Sequence, residues 1–267
     1  KTFLLSCLML AAMPVMAAYT GRVYVDKNKN GVFDPGEKTW AGIKVSDGLN
    51  VVETAADGSF TLPGHERERF IFITTPSGYK TFNRHYHKIE KKQSGYDFGL
   101  IPYSGRIRKD GSHRYIHITD TEIFNTENHE DWVNNVRDYA RNEQAAFIIH
   151  TGDICYEKGL KAHIKLMNTE NMDCPVFYCI GNHDLVKGKY GEELFESIYG
   201  PVYYSFDAGN VHYVVTPMPG GDHAPGYTSD DVCRWLKNDL AHIRPGTPVV
   251  VFNHDLLTYE DTFIFKS

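Results

Sequence analysis

Four apolar runs in this sequence each end in residues that bind metals or carry protons. Tyr115 to Ile118 is followed by Asp120 and Glu122; Phe147 to His150 by Gly152-Asp153; Phe177 to Ile180 by Gly181-Asn182-His183-Asp184; and Val249 to Phe252 by Asn253-His254. Carboxylates, an amide oxygen and imidazole form a mixed oxygen and nitrogen set suited to Mn, Fe or Zn, and one aspartate in such a set can bridge two ions. Although far apart in the chain, groups at strand ends can meet, because ligands of an α/β sheet gather where its strands finish.

A second pattern is Asp26-Lys27-Asn28-Lys29-Asn30-Gly31-Val32-Phe33-Asp34-Pro35-Gly36-Glu37. It meets the D-x-[DN]-x-[DN]-G-x5-E calcium-loop spacing throughout, with oxygen side chains at Asp26, Asn28, Asn30 and Asp34, glycine at the sharp turn and Glu37 placed for bidentate coordination. One reading is a structural calcium site. The other is a solvated Asn/Gly turn, since no amphipathic helix flanks the loop.

Two kinds of element must position these residues. Residues 19–103 read as short strands (Gly21 to Val25, Ile43 to Ser46, Val51 to Thr54, Ser59 to Leu62, Phe70 to Thr74) separated by Gly, Asp, Asn and Pro, the spacing of a β-sandwich. From His113 onward strands alternate with helical stretches: Asp131 to Glu143, Leu160 to Asn171, Gly191 to Tyr199 and Ser229 to His242, with a hairpin pairing Val202 to Phe206 with Val211 to Thr216. The expected fold is α/β, a layered sheet covered by helices on both faces, preceded by a small all-β sandwich. Residues 104–112 read as the linker, and residues 113–267 as the second domain.

The first eighteen residues stand apart. Lys1, an apolar run from Phe3 to Val15 and the small Ala17-Ala18 have the zones of a secretory signal peptide, and the run falls short of a bilayer span. The protein is expected to be exported, to the periplasm or the cell surface, with no membrane association beyond export or a lipid anchor at Cys7. Removing Cys7 leaves Cys155, Cys174, Cys179 and Cys233, which allow three disulfide pairings among which the sequence does not choose. Cys174 and Cys179 flank a strand and are expected as buried thiols or in bridges elsewhere, and Cys155 as a packing residue. The charge is 28 − 34 = −6 with histidine neutral, and no local basic patch offers a nucleic-acid surface.

Taken in order, D-x-[HE], G-D, G-N-H-D and N-H at strand ends resemble the calcineurin-like metallophosphoesterase superfamily. The first domain, through Ala41-Gly42-Ile43-Lys44-Val45 and Asp57-Gly58-Ser59-Phe60, resembles the calcium-loop and prealbumin-like repeats of bacterial surface proteins, and also the β-domain ahead of some bacterial calcineurin-like phosphoesterases. The resemblance implies two divalent ions, with Asp153 bridging both, Asp120 on the first, and Asn182 and His254 on the second. It implies His183 as general acid at the scissile bond, and Asp184 as the group that orients a neighbouring imidazole or ligand. The chain departs from the family where D-x-H has become Asp120-Thr121-Glu122; a carboxylate there favours Mn or Mg. The family's last motif, G-H-x-H, does not occur up to Ser267, so a fragment of a longer protein is expected.

The implied activity is hydrolysis of a small phosphorylated substrate, a mono- or diester, by a water activated between two ions. A non-catalytic alternative is a calcium-stabilised binding or adhesion module on a degenerate phosphoesterase scaffold. Other residues have plain readings: His117 and His150 as hydrogen-bonded core imidazoles, His85 and His87 as surface residues, Tyr156, Tyr203 and Tyr204 as pocket lining or sheet cover. The loop Met218 to His223 is either a surface loop or a carrier of substrate-reaching Asp222 and His223. Nothing in the sequence addresses the oligomeric state.

Overall fold

A computed structural model describes residues 18–93, 95–103, 106–123, 129–186 and 188–255. The leader expected over residues 1–18 lies outside them except for Ala18, as do residues 256–267 at the far end. Among the described residues no helix is long and apolar enough to cross a membrane.

The first part of the chain is all strand: β1 (Tyr19–Val25), β2 (Lys44–Ser46), β3 (Val51–Glu53), β4 (Ser59–Leu62), β5 (Phe70–Ile73), β6 (Tyr79–Thr81), β7 (Tyr86–Lys88) and β8 (Phe98–Pro102). Two four-stranded sheets form, in the orders β4-β1-β8-β6 and β3-β2-β5-β7, and every pairing is antiparallel except β1 with β8. Their facing side chains, Val23, Val45, Leu62, Ile71, Ile73, Tyr96 and Leu100 among them, make one buried core.

The second part runs β9 (Tyr115–Ile118), α1 (Glu130–Asn142), β10 (Phe147–His150), α2 (Tyr156–Leu166), β11 (Val176–Tyr178), α3 (Glu193–Tyr199), β12 (Tyr204–Ala208), β13 (Val211–Val215), α4 (Ser229–Leu240) and β14 (Val249–Phe252). The expected elements are present, but they form two sheets where one was expected. Strands β11-β10-β9 are parallel, and β12-β13-β14 make a second, mixed sheet. The sheets face each other through aromatic rings: Phe177 stacks on Phe206 at 3.7 Å between centroids, and Phe147 meets Phe206 at 4.9 Å. Helix α1 covers the other face of the parallel sheet, where Val133 and Ala140 pack with Ile148 and Val176. Helix α4 starts on a reciprocal cap, Thr228 Oγ1 accepting from Asp231 N while an Asp231 carboxylate oxygen accepts from Thr228 N, and sends Trp235 and Leu236 into the core of the second sheet.

The two parts are joined through β5 and β12. Thr75 and Phe206 form a parallel bridge, with Asp207 N donating to Thr75 O at 2.9 Å. Beside it lies a buried polar chain. Thr74 Oγ1 and Ser205 Oγ are 2.8 Å apart, Ser205 donates to Asp239 Oδ1 at 2.9 Å, and His212 sits between Asp239 Oδ2 and Asp207 Oδ1 at 2.7 Å from each. Lys44 reaches Asp207 at 3.4 Å. Burial would push the His212 imidazole down, but its two carboxylate partners outweigh that and raise its pKa.

Candidate metal centre

Each strand of the parallel sheet ends in a turn that throws its last polar side chain toward the neighbouring strand. Asp120, Glu122 and Asp153 all adopt positive φ, 52°, 44° and 52°, a conformation that L residues hold only where surroundings impose it. Backbone bonds impose it here: Asp120 N donates to Gly152 O at 3.0 Å, Glu122 N to Asp153 O at 3.1 Å and Ile123 N to Ile154 O at 3.0 Å. Gly152 and Gly181 let the ends of β10 and β11 touch. A Cβ on Gly181 would lie 2.2 Å from Asp153 N and from Asp153 Oδ1, and one on Gly152 would lie 2.5 Å from Gly181 N.

Asp120, Asp153 and His254 converge, each offering a ligand atom within 4.8 Å of the others. His254 Nε2 lies 3.4 Å from Asp153 Oδ2 and 3.2 Å from Asn182 Oδ1, while Nδ1 is 2.8 Å from Thr151 O. The hydrogen bond with Asp153 raises the His254 pKa to about 9. Burial disfavours the Asp153 anion, yet the His254 contact and the His183 backbone N–H, 3.0 Å from Oδ1, keep its pKa low.

His183 stands at the rim, with Nδ1 2.8 Å from Asp222 Oδ2, and that bond raises its pKa. Asp222 comes from the loop after β13, one of the two readings left open for that segment. Asp184 lies beneath the centre, fully buried. Its Oδ1 accepts from Cys155 N at 2.8 Å and its Oδ2 from Gly181 N at 2.9 Å, so it clamps two backbone turns and touches no imidazole. Loss of hydration pushes its pKa up to about 6.

Two family profiles match this chain: one described as the N terminal of calcineurin-like phosphoesterase over residues 27–102, and one described as calcineurin-like phosphoesterase over residues 113–263. The chain belongs to the calcineurin-like phosphoesterase family. A search of curated proteins finds no match to it.

A calcineurin-like phosphoesterase requires divalent metal, and the donor set here fits one: two carboxylates and an imidazole in mutual reach, with the amide oxygen of Asn182 beside the imidazole. Glu122 is exposed and falls outside the converging group of Asp120, Asp153 and His254. His150 is a fully buried imidazole, 2.9 Å from Thr121 Oγ1. His117 differs from its core reading: it lies 2.8 Å from Thr151 Oγ1 but is exposed, because β9 is an edge strand whose alternate residues face outward. Tyr156 is exposed beside His183, ring centroids 5.5 Å apart, whereas Tyr204 is buried in the sheet. The four described cysteines are free thiols, three of them buried. His85 differs from its surface reading. Its ring lies 4.5 Å from that of Tyr204, and burial lowers its pKa to about 3.

In the Asp26 to Glu37 loop the oxygens are turned onto backbone N–H groups: Asp26 accepts from Asn30 and Gly31, Asn28 from Asn30, Asn30 from Val32, and Glu37 from Lys27 and Asp34. The amides of Asn28 and Asn30 both donate to Asp34 Oδ2 at 2.8 Å. No helix flanks the loop; it leaves β1 and returns to it at Thr39, which bridges Tyr24.

Proposed function

We propose that this chain is an exported hydrolase of phosphate mono- or diesters working with two divalent ions, Mn or Mg ahead of Zn. The observation that carries the reading is the convergence of Asp120, Asp153, Asn182 and His254 at the ends of four separate loops, with a carboxylate-paired His183 at the rim. Asp153 is the shared ligand, Asp120 belongs to one ion, and Asn182 and His254 to the other. Glu122 is held in reserve beside Asp120. Bound ions would supply positive charge to the phosphoryl oxygens and an acidified water.

The chain's own groups do the rest. Asp222 accepts from Nδ1 of His183 and favours its protonated form, leaving Nε2 to deliver a proton to the departing oxygen. Because Asp153 Oδ1 takes the His183 backbone N–H, the acid and the shared carboxylate keep a fixed relation. Asp184 maintains the turn that carries both Asn182 and His183. The charged, apolar and small-residue zones of residues 1–18 support export, the linker near 104–112 separates the β-domain from the catalytic one, and the Asp26 to Glu37 spacing supports a structural calcium ion.

Metal analysis and phosphatase assay of Asp153→Asn test this reading. Bound Mn and activity should fall together; a variant that keeps two ions per chain removes Asp153 from the shared position. His183→Ala should keep its metal and lose most on esters with poor leaving groups. Equal loss on activated esters would leave His183 without an acid role.

A further inference from the structure

We propose that His150 is a positioning residue: its ring is a strut of fixed tautomer that joins the loop bearing Asp120 to the loop bearing Asp153 and holds the two carboxylates at ligating separation. The inference rests on the metal-binding reading of the site. His150 ends the central strand of the parallel sheet, paired with Ile118 on one side and Tyr178 on the other, and is completely buried. Gly152 N lies 3.2 Å from Nδ1, and Thr121 Oγ1 lies 2.9 Å from Nε2. A backbone N–H can only donate, so Nδ1 is the bare acceptor and the proton sits on Nε2, which donates to the threonine hydroxyl. Burial, with His163, His254 and His117 nearby, keeps the ring neutral, as this arrangement needs.

The geometry explains why a ring is needed there. Thr121 lies between Asp120 and Glu122, and Gly152 directly precedes Asp153; Asp120, Glu122, Gly152 and Asp153 all have positive φ. For Asp120, Glu122 and Asp153, which carry a Cβ, such backbone is strained and persists only when several contacts over-determine it. The loop-to-loop backbone bonds supply part of that constraint, and the imidazole adds a cross-link from the sheet side. Groups that orient ligands from behind typically contribute 10- to 100-fold to metal affinity.

The test titrates the full chain with Mn2+ alone. Thr121→Val removes the hydroxyl at nearly constant shape and should weaken Mn2+ binding about tenfold or more, while Thr121→Ser restores it to within about twofold of the parent. His150→Asn keeps an acceptor where Nδ1 stands but cannot reach Thr121, so adding Thr121→Val to it should cost nothing further. Parent-like Mn2+ binding by Thr121→Val, or losses that multiply in the double variant, would overturn the strut. If His150→Asn does not fold, 15N-labelled histidine in the unsubstituted, metal-free chain decides alone. A neutral ring protonated on Nε2 is expected; an Nδ1-protonated ring or an imidazolium refutes the proposal. Should the unsubstituted chain bind no Mn2+, the metal reading falls, and the tautomer measurement still judges His150 separately.

Discussion

Replacing Asp239 by asparagine isolates one charge in the polar chain between the two domains. Asparagine has the same shape. Its Oδ1 can accept from His212, and its Nδ2 can donate to Ser205 once that hydroxyl turns to Thr74, so the hydrogen bonds survive and the negative charge does not. Asp239 and His212 are 2% and 1% exposed, so solvent screens their attraction little. Gross attraction for unit charges about 4 Å apart is about 4 kcal/mol at an effective dielectric constant near 20, and the lost hydration of both ions offsets much of it. The net value for a charge-assisted hydrogen bond is roughly 1.5–3 kcal/mol, or about 3–12 °C in melting temperature for a chain of this size. The loss depends on pH with a definite sign. His212 has a folded pKa above the ordinary 6.5, so its contribution is complete below pH 6.5 and disappears as pH rises through the raised value. Above that, Asp239 is a buried anion facing a neutral ring, and asparagine becomes equal or better. Urea unfolding of both proteins at about pH 6 and at high pH measures the difference. An equal deficit at both would show that His212 is uncharged in the folded protein and refute the argument.

Below pH 9 an ion must displace the His254 proton, so Mn2+ affinity should rise up to about tenfold per pH unit between pH 6 and 8, measured by calorimetry; a flat profile would dissolve the link to Asp153. Asp222→Asn should move the alkaline limb of the pH-rate profile to lower pH, since His183 loses the partner that raises its pKa; the pair is about a third exposed, so the energy is at most about 1 kcal/mol. Gly181→Ala should abolish metal retention, because its Cβ would meet Asp153 Oδ1 at 2.2 Å; metal analysis of the purified variant checks it, with full retention counting against the loop geometry. Calcium at millimolar concentration should raise the melting temperature of the chain and of Glu37→Gln much less. No response in the parent would leave the Asp26 to Glu37 segment as a hydrogen-bonded turn.

The convergence of the candidate residues could be read from the sequence because each lies within a few positions of the end of an apolar run, and a strand end is a place that a linear pattern can reveal. Asp120, Asp153, Asn182 and His254 converge for that reason. The division into two sheets could not be read this way. An apolar run such as Val249–Phe252 reports that a strand is packed, not which sheet it joins. Strands β6 and β7 are not legible because three residues with Lys80, His87 or Lys88 among them carry no alternation, and β8 (Phe98–Pro102) is missed with them; pairing with β8 and β5 sets the place of β6 and β7. The Asp222 partner of His183 and the Thr121 partner of His150 lie 39 and 29 residues away in sequence, and only folding brings them close. His85, near Tyr and Lys residues, reads as a surface residue, yet its ring lies against Phe177 and Tyr204 of the second domain.

The bridge from Thr75 to Phe206 also bears on solubility. Strand β12 pairs with β13 on one side only, and its free flank would otherwise offer unpaired N–H and C=O groups to another molecule. Thr75 O takes the Asp207 N–H, and Ser77 Oγ takes that of Gly209 at 2.9 Å, so the β-domain plugs the edge. The second domain produced without residues 19–103 would expose that flank together with the face of Trp235 against which Phe72 now packs. The β-domain therefore occupies an edge of its neighbour's sheet that would otherwise be open to another strand.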